Sequence, residues 1–244
     1  MEQYYQIADL VLKFDFSGRT FLQAEKYICD SVEDADIEFD MDAFQESYRY
    51  LCEKYNGTNY TYNDIEYMVT GLHFYRKLLS FDGFMMHSSA VVVDNQAYLF
   101  SANSGTGKST HTELWLKLFS DRAYILNDDK PAVRMVDGVW YAYGTPWSGK
   151  HDISVNARVP IAGVAFLERA EKNSITRMDP GDAAMALIMQ INRSRFPEAM
   201  EKLFDLYEKF VQQVPVWNLK CNMDPEAAIV SYEAMSGEKF VPNK

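Results

Sequence analysis

A glycine-rich stretch at residues 104–109 combines the side chains and the backbone freedom that phosphate binding needs. It reads Ser-Gly-Thr-Gly-Lys-Ser, follows an apolar run that ends at Phe100, and precedes a helical pattern. This order of strand, glycine loop and helix is typical of a phosphate-binding loop, because glycines let backbone N–H groups face phosphate oxygens and the helix N-terminus adds positive charge. In such a loop, Lys108 reaches the β- and γ-phosphates and the Ser109 hydroxyl binds Mg²⁺.

The loop departs from the full phosphate-loop pattern at one position. That pattern, G-x-x-x-x-G-K-[ST], has its first glycine where this chain has Ala102. Alanine is small and is tolerated there if its φ angle is negative. The alternative interpretation is a glycine-rich turn that contains Lys-Ser by coincidence, and the flanking strand and helix signals argue against it. The residues expected to contact a nucleotide are Asn103, Ser104, Gly105, Thr106, Gly107, Lys108, Ser109 and Thr110.

Two adjacent carboxylates, Asp128 and Asp129, follow the next apolar strand in an Asn-Asp-Asp sequence. A carboxylate at a strand end beside a phosphate loop can hold Mg²⁺ or orient the attacking nucleophile. Two neighbouring carboxylates can divide these roles, because both can face one cleft where the chain turns. Alone, the pair would be interpreted as solvated loop residues, but its place after a phosphate loop favours the functional interpretation.

The elements before the loop are predicted from hydrophobic periodicity. Apolar and polar residues alternate over residues 4–16, which predicts one half-buried strand that ends at a Ser-Gly turn. The same alternation occurs over residues 37–41, before a helical pattern. We therefore expect residues 1–60 to form a small N-terminal α+β appendage and residues 61–244 to form the core domain.

A longer helix, from about Asn63 to Leu79, is predicted to lead into the core domain. Asn63 and Glu66 have the spacing of a capping box, with Asn in the place of Ser or Thr. The inward face of this helix is expected to consist of Ile65, Met68, Leu72, Tyr75 and Leu79.

The core domain is predicted to alternate strands and helices. An Asp-Gly turn at Asp137 is a strong hairpin signal, and residues 174–178 are expected to pair antiparallel with a strand at 159–167. A last helix is expected to begin after Asp224 and to end at Gly237. Strands are predicted at residues 90–93, 97–100, 123–126, 132–136, 139–143, 159–167 and 214–219, and helices at 181–192 and 197–213. The predicted fold class is α/β, a P-loop core with a mixed β-sheet flanked by helices, plus the small N-terminal α+β region.

Composition restricts the function classes. The net charge of −11 argues against a protein that binds nucleic acid or an anionic membrane through basic patches. The three cysteines are odd in number and none has a partner at metal-ligand spacing, which favours a reducing, cytoplasmic location. The N-terminus has no signal-peptide pattern, and no apolar run approaches the about 20 residues of a membrane span.

His87, the glycine loop and the Asp128-Asp129 pair occur in an order that resembles the ATP-binding core of HPr kinase/phosphorylase and its smaller relatives. The same stretch is similar to the nucleotide site of ATP-dependent phosphoenolpyruvate carboxykinase, whose greater length counts against that activity here. Weaker similarity over residues 159–167 and 215–228 resembles the short HPr-kinase-related proteins found beside peptide-modification enzymes.

This resemblance implies a role for each matching residue. Lys108 would bind the transferring phosphoryl group, and Asp128 would be the base that accepts the proton of a substrate hydroxyl. Ser109 would bind Mg²⁺, Asp129 would assist through Mg²⁺ or hydrogen bonding, and His87 would lie near the phosphates or the base. For His87, a buried histidine satisfied by the backbone is the alternative.

Two segments differ from the resembled family or match it loosely. Where that family has Glu-Ile-Arg-Gly with a metal-binding glutamate, residues 143–150 read Tyr-Gly-Thr-Pro-Trp-Ser-Gly-Lys. Thr145, Ser148 or Lys150 could replace part of the metal shell, and Ser148 and Lys150 are candidate substrate contacts; a turn that closes the hairpin is the alternative. The catalytic arginine of the family would correspond to Arg193, or to Arg195, either of which could instead complement a helix C-terminus.

The sequence thus predicts an ATP-dependent kinase that uses Mg²⁺ and transfers the γ-phosphate to a hydroxyl, with a serine of a peptide or protein as the favoured acceptor. A small-molecule hydroxyl is the nearest alternative acceptor. A non-catalytic nucleotide-binding module in a peptide-modification system is the second class, and a reversible phosphorylase is disfavoured by the altered 143–150 segment. Self-association is a further expectation from the resemblance, and no nucleic-acid or membrane partner is expected.

Overall fold

Two β-sheets organise the fold in the computed structural model, which describes residues 3–103, 105–190 and 197–241. A three-stranded sheet lies near the N-terminus, and a nine-stranded mixed sheet forms the rest of the α/β fold. None of the helices in these described ranges is long and apolar enough to cross a lipid bilayer.

The N-terminal sheet begins with a hairpin of β1 (Tyr4–Ile7) and β2 (Leu10–Lys13), and β3 (Ile37–Glu38) runs parallel to β2. The prediction of one continuous strand over residues 4–16 was therefore wrong. Ala8 and Asp9 form the two-residue turn with φ of 55° and 59°. Such a turn is usually signalled by Gly or Asn, and this one contains neither.

Three helices accompany this sheet: α1 (Gly18–Ala24), α2 (Met41–Lys54) and α3 (Tyr62–Leu78). Helix α3 confirms the predicted long helix, and α2 begins at Met41, where the sequence pattern still indicated a strand. Helix α1 has no counterpart in the sequence prediction, because its seven residues are too few to show helical periodicity.

The cap and the inward face of α3 differ from the prediction. The capping box is formed by Thr61 and Asp64, two residues before the predicted Asn63 and Glu66. Leu72, predicted to face inward, is 49% exposed. The helix packs against α1, α2 and β4 (Gly83–Met85), so more than one stripe of its surface is covered. The residues buried along it are Ile65, Tyr67, Val69, Thr70, Gly71, His73, Phe74 and Leu78.

The large sheet follows the spatial order β4-β8-β9-β10-β6-β5-β7, with β12 beside β10 and β11 beside β12. The Asp-Gly hairpin prediction is confirmed by the pairing of β8 with β9. Its further strands are β5 (Ser89–Val93), β6 (Gln96–Ser101), β7 (Ala123–Asn127), β8 (Ala132–Val136), β9 (Val139–Tyr143), β10 (Arg158–Arg169), β11 (Ser174–Arg177) and β12 (Val216–Cys221). Its helices are α4 (Lys108–Phe119), α5 (Pro180–Ile188), α6 (Pro197–Gln213) and α7 (Glu226–Ser236).

Strand β10 lies between β6 and β12 in the large sheet. It runs parallel to β6 on one side and parallel to β12 on the other. Strand β11 was predicted to pair with β10, but it pairs with β12 instead. The physical reason is that β6 and β12 already occupy both edges of β10, so no edge remains for β11.

The N-terminal region and the large sheet share one hydrophobic cluster. Trp147, which follows β9, is 1% exposed and its ring lies 4.8 Å from that of Phe74 in α3 and 6.3 Å from that of Phe16. Residues 1–60 thus contact the remainder of the chain through buried aromatic side chains. Their division into an appendage and a core domain stays a prediction.

Candidate functional site

The glycine loop connects β6 to α4, as the sequence predicted. Gly105 and Gly107 have φ of 78° and 121°, in the region that favours glycine, and a Cβ at either would meet nothing within 4 Å. The positive φ angles favour glycine at both positions, whereas a side chain there would have enough room. Ala102 is not among the residues with positive φ, so its side chain costs no backbone strain. Ser104 lies outside the described residues.

Lys108 and His87 are brought together at the first turn of α4. The Lys108 Nζ atom donates to the carbonyl of Ala102 at 2.9 Å and lies 3.4 Å from His87 Nε2. The main chain of His87 is held by Ser101, whose Oγ donates to the His87 carbonyl at 2.7 Å. Burial lowers the pKa of Lys108, and the negative charges of the aspartates that follow β7 oppose that shift.

Asp128 contacts the glycine-loop serine. Ser109 Oγ lies 3.4 and 3.5 Å from the two Asp128 carboxylate oxygens, and Ser89 Oγ donates to Asp128 Oδ1 at 2.8 Å. The sequence-based assignment of Mg²⁺ ligands grouped Ser109 with Asp129. In the structure, the hydroxyl of Ser109 reaches Asp128.

Asp129 has basic neighbours. Its Oδ1 lies 3.4 Å from His87 Nε2, and its Oδ2 accepts from Lys130 Nζ at 2.6 Å. Burial alone would raise the pKa of Asp129, but the hydrogen bonds and charges of His87 and Lys130 outweigh it and lower the pKa to about 2. Asp129 therefore stays ionised at neutral pH.

Asn127 shapes the turn that carries both carboxylates. Its side chain is fully buried, and Oδ1 accepts from the N–H groups of Asp129 and Lys130 at 3.0 and 2.8 Å. Its Nδ2 donates to the carbonyl and hydroxyl of Thr145 at 3.1 Å each. Sequence reasoning gave Asn127 no role of its own, although an asparagine that bonds the backbone two residues onward is a known turn device.

The segment after β9 lies directly beside Asp129. Gly149 has a φ of +81°, and a Cβ there would be 3.0 Å from the Asp129 Cβ. The N–H of Gly149 donates to Tyr67 Oη at 3.0 Å, and its carbonyl accepts from Arg19 Nη2 at 2.5 Å and from Gln23 Nε2 at 3.1 Å. Side chains of α1 and α3 thus hold both peptide groups of Gly149 beside the carboxylate.

The remaining candidates occupy different environments. Ser148 is buried and donates to Asp152 Oδ1 at 3.1 Å, whereas Lys150 is exposed. The N–H of Thr106 donates to the carbonyl of Asn103 at 3.1 Å, and Thr110 lies exposed in the first turn of α4. The two arginine candidates, Arg193 and Arg195, lie outside the described residues.

Sequence reasoning missed two basic residues at the site. Lys130 is paired with Asp129, and Arg169 donates to the carbonyls of Gly105 and Thr106 in the glycine loop. Lys130 directly follows the aspartates and could have been noticed. Arg169 lies far along the chain and is brought to the loop only by the pairing of β10 with β6.

The side chains present fit a Mg²⁺ ion that is shared with a nucleotide. In the described part of the chain, no three or more His, Cys, Asp or Glu side chains are grouped to hold a metal ion. Mg²⁺ usually takes only one or two carboxylates and completes its shell with waters and substrate phosphates. The Ser109 hydroxyl beside the Asp128 carboxylate supplies that kind of partial oxygen set.

Comparisons with known proteins give a family match and distant similarity to solved structures. A family described as SynChlorMet cassette protein ScmC matches residues 50–226. No curated protein matches the chain. Among solved structures, the Hpr(Ser) kinase/phosphatase from Coxiella burnetii is similar with a TM-score of 0.35 and 15% identity, over 63% of this chain and 93% of that chain.

Proposed function

The chain belongs to the SynChlorMet cassette protein ScmC family, and on that premise we propose that it is an ATP-dependent phosphotransferase that moves a γ-phosphoryl group to a hydroxyl. One observation carries the proposal: a phosphate-binding loop, its lysine and two carboxylates converge within hydrogen-bonding distances. Lys108 Nζ lies 3.4 Å from His87 Nε2, which lies 3.4 Å from Asp129 Oδ1. Phosphoryl transfer needs positioning and charge neutralisation more than covalent chemistry, and this set of groups suits both.

The nucleotide phosphates would bind at the glycine loop and the N-terminus of α4. Gly105 and Gly107 allow the backbone to turn there, and the helix dipole attracts anions. Lys108 would neutralise charge on the transferring group. The half-buried position of Lys108 strengthens that attraction, because water screens it less.

Ser109 and Asp128 would hold Mg²⁺, which supplies charge neutralisation at the phosphates when bound. The contact between Ser109 and Asp128 supports this assignment. Asp129 is then the carboxylate left to orient the acceptor hydroxyl, with His87 and Lys130 keeping it ionised. This assignment exchanges the roles that the sequence resemblance gave to the two aspartates. The Mg²⁺ dependence of ATP binding in variants of Asp128 and Asp129 distinguishes the two assignments.

The acceptor class is proposed from the sequence resemblance, which favours a serine hydroxyl of a peptide or protein over a small-molecule hydroxyl. Gly149 lies beside Asp129, and it and the exposed Lys150 that follows it would lie on the acceptor side. Self-association of the chain is likewise proposed from the sequence resemblance.

The test is phosphate transfer from γ-labelled ATP with Mg²⁺. The acceptors are serine-containing peptides encoded beside the gene, with free serine and glycerol as small-molecule acceptors. We expect label on a peptide serine with the native chain and none with Lys108→Ala. Label only on a small molecule would change the acceptor class.

The second candidate, a nucleotide-binding module without catalysis, is favoured by the absence of a glutamate in residues 143–150. Tight Mg·ATP binding without transfer to any acceptor would support it. Failure of the native chain to bind Mg·ATP would overturn both functions.

A further inference from the structure

Arg169 lies at the level of the glycine loop although it is distant in sequence. It is the last residue of β10, and β10 runs parallel to β6 with Phe166 opposite Ser101. Since Ser101 ends β6, the three residues of β10 beyond that pair extend past the end of β6 toward the loop. Arg169 therefore lies next to the glycine loop.

One guanidinium holds two consecutive carbonyls of the loop. Arg169 Nε donates to the carbonyl of Thr106 at 3.1 Å, and its Nη2 donates to the carbonyl of Gly105. Within the described ranges, no carboxylate is ion-paired with Arg169. Its charge therefore acts on the loop, and its planar fork donates to both carbonyls from one fixed geometry.

The direction of these carbonyls fixes the direction of the amides. In a trans peptide unit the C=O and N–H groups point to opposite sides. Because Arg169 draws the Gly105 and Thr106 carbonyls toward itself, the N–H groups of Thr106 and Gly107 are turned to the other side of the loop. The Thr106 N–H already has a partner in the carbonyl of Asn103, which leaves the Gly107 N–H as the one oriented for an anion.

We propose that Arg169 is a positioning residue for nucleotide binding. It holds the Gly105 and Thr106 carbonyls so that the Gly107 N–H is oriented before a nucleoside di- or triphosphate arrives. Orienting this part of the loop in advance reduces the ordering cost that binding would otherwise carry. The inference rests on the proposed nucleotide-binding function and adds a residue that neither the phosphate-loop pattern nor the family match assigns.

The experiment compares Arg169→Gln and Arg169→Lys with the native chain by calorimetric titration with Mg·ADP. Arg122→Gln is the matched control, because Arg122 is an exposed arginine whose Nε and Nη2 donate to Asp94 in the β5–β6 turn, at the opposite end of β6. We expect Arg169→Gln to weaken Mg·ADP binding about three- to tenfold, the usual range for one or two solvent-exposed hydrogen bonds. Arg169→Lys should recover part of the affinity, because an ammonium can reach one carbonyl, and Arg122→Gln should bind as the native chain does.

A purely structural role is separated from a positioning role by the unliganded protein. Without nucleotide, the melting temperatures of Arg169→Gln and Arg122→Gln should agree, while only Arg169→Gln should show a reduced melting shift with Mg·ADP. Equal Mg·ADP affinity in Arg169→Gln and the native chain would overturn this inference alone. Lost phosphate transfer with unchanged nucleotide affinity would also overturn it, because Arg169 would then act on the transferring group. No Mg·ADP binding by the native chain would overturn the inference together with the proposed function.

Discussion

Two neighbouring aspartates of this chain have different surroundings, which separates their chemistry. Asp128 accepts from the hydroxyls of Ser89 and Ser109, whereas Asp129 lies between His87 and Lys130. A hydroxyl-lined carboxylate suits a metal ion shared with phosphates, and a carboxylate beside two basic groups stays charged over a wide pH range.

Replacing Asp128 and replacing Asp129 should change the Mg²⁺ dependence of ATP binding to different extents. We expect Asp128→Asn to raise the Mg²⁺ concentration needed for half-maximal ATP binding by at least about tenfold, because it removes a carboxylate from the oxygen set. Asp129→Asn should leave that concentration near its native value and lower phosphate transfer. The measurement is a Mg²⁺ titration of ATP binding. The opposite pattern would restore the roles inferred from sequence, with Asp129 on the metal.

Lys130 is expected to control the charge of Asp129. Lys130→Gln removes the ammonium at 2.6 Å, so the Asp129 pKa should rise from about 2 toward the ordinary value of 3.8. A lowered carboxyl pKa stabilises the fold above the ordinary pKa, and that contribution is lost as the pH falls toward 2. Lys130→Gln should therefore be less stable than the native chain at pH 7, with a difference that shrinks in acid.

The measurement for Lys130→Gln is an NMR titration of the Asp129 carboxyl carbon, together with urea unfolding at neutral and acidic pH. Lys26→Gln is the control, because Lys26 pairs with a different carboxylate, Asp152, at 3.2 Å. An Asp129 pKa that is the same in Lys130→Gln and the native chain would contradict the assigned pairing.

Gly149 permits a controlled test of the contact with Asp129. Gly149 and Gly138 have nearly equal φ of +81° and +80°, so an alanine is strained to the same extent at both, by about 1–2 kcal/mol. Only at Gly149 does the new Cβ meet a neighbour, the Asp129 Cβ at 3.0 Å. We expect a larger loss of urea stability in Gly149→Ala, because the contact adds to the backbone strain, and a lower rate of ATP turnover in Gly149→Ala alone. Equal turnover in the two variants would show that Gly149 does not support Asp129.

At the scale of elements, the sequence was sufficient to predict a helix, strand or turn where its conformation depends on residues nearby in the chain. The glycine loop with its flanking strand and helix, and the Asp-Gly hairpin of β8 and β9, were correctly predicted. The partner of β11 was wrong because pairing depends on which strand edge remains open, and sequence does not show that. The Ala8-Asp9 turn was missed because it contains neither Gly nor Asn, although the buried positions change from odd-numbered residues in β1 to even-numbered residues in β2.

The cap of α3 provides a test of two competing residues. Thr61 accepts from the Asp64 N–H at 3.2 Å and donates to Asp64 Oδ2 at 2.7 Å, whereas the sequence favoured Asn63 as the cap. Thr61→Ala should lower the free energy of unfolding by about 1 kcal/mol, the usual cost of losing an N-cap. Asn63→Ala is the comparison and should cost less. Urea denaturation measures both, and a larger loss in Asn63→Ala would contradict the observed cap.

At the scale of the whole molecule, the sequence predicted residues that lie together as a candidate site, but it did not indicate what supports them. His87, Lys108, Ser109, Asp128 and Asp129 were predicted and lie together. Their supports come from distant parts of the chain and have no motif of their own: Arg19, Gln23 and Tyr67 around Gly149, and Arg169 at the glycine loop.

The shared aromatic cluster predicts that residues 1–60 do not unfold separately. Phe16 is 5% exposed and contacts Trp147, and all four tryptophans lie beyond residue 114. Phe16→Ala should therefore shift the urea transition seen by tryptophan fluorescence, with a loss of about 3–5 kcal/mol for a buried phenylalanine. Phe204→Ala, at a 42% exposed position, should cost less than about 1 kcal/mol. An unmoved tryptophan transition in Phe16→Ala would indicate separate unfolding.

The hydrogen bonds from α1 to Gly149 have a practical consequence for fragment design. A shortened protein that starts after Ala24 lacks Arg19 and Gln23, so the Gly149 carbonyl loses both side-chain donors. Of the side-chain hydrogen bonds to Gly149 described above, the one from its N–H to Tyr67 would then remain. Screens for an acceptor that use such a truncated chain would sample an altered site, so the full N-terminal region belongs in any protein prepared for that purpose.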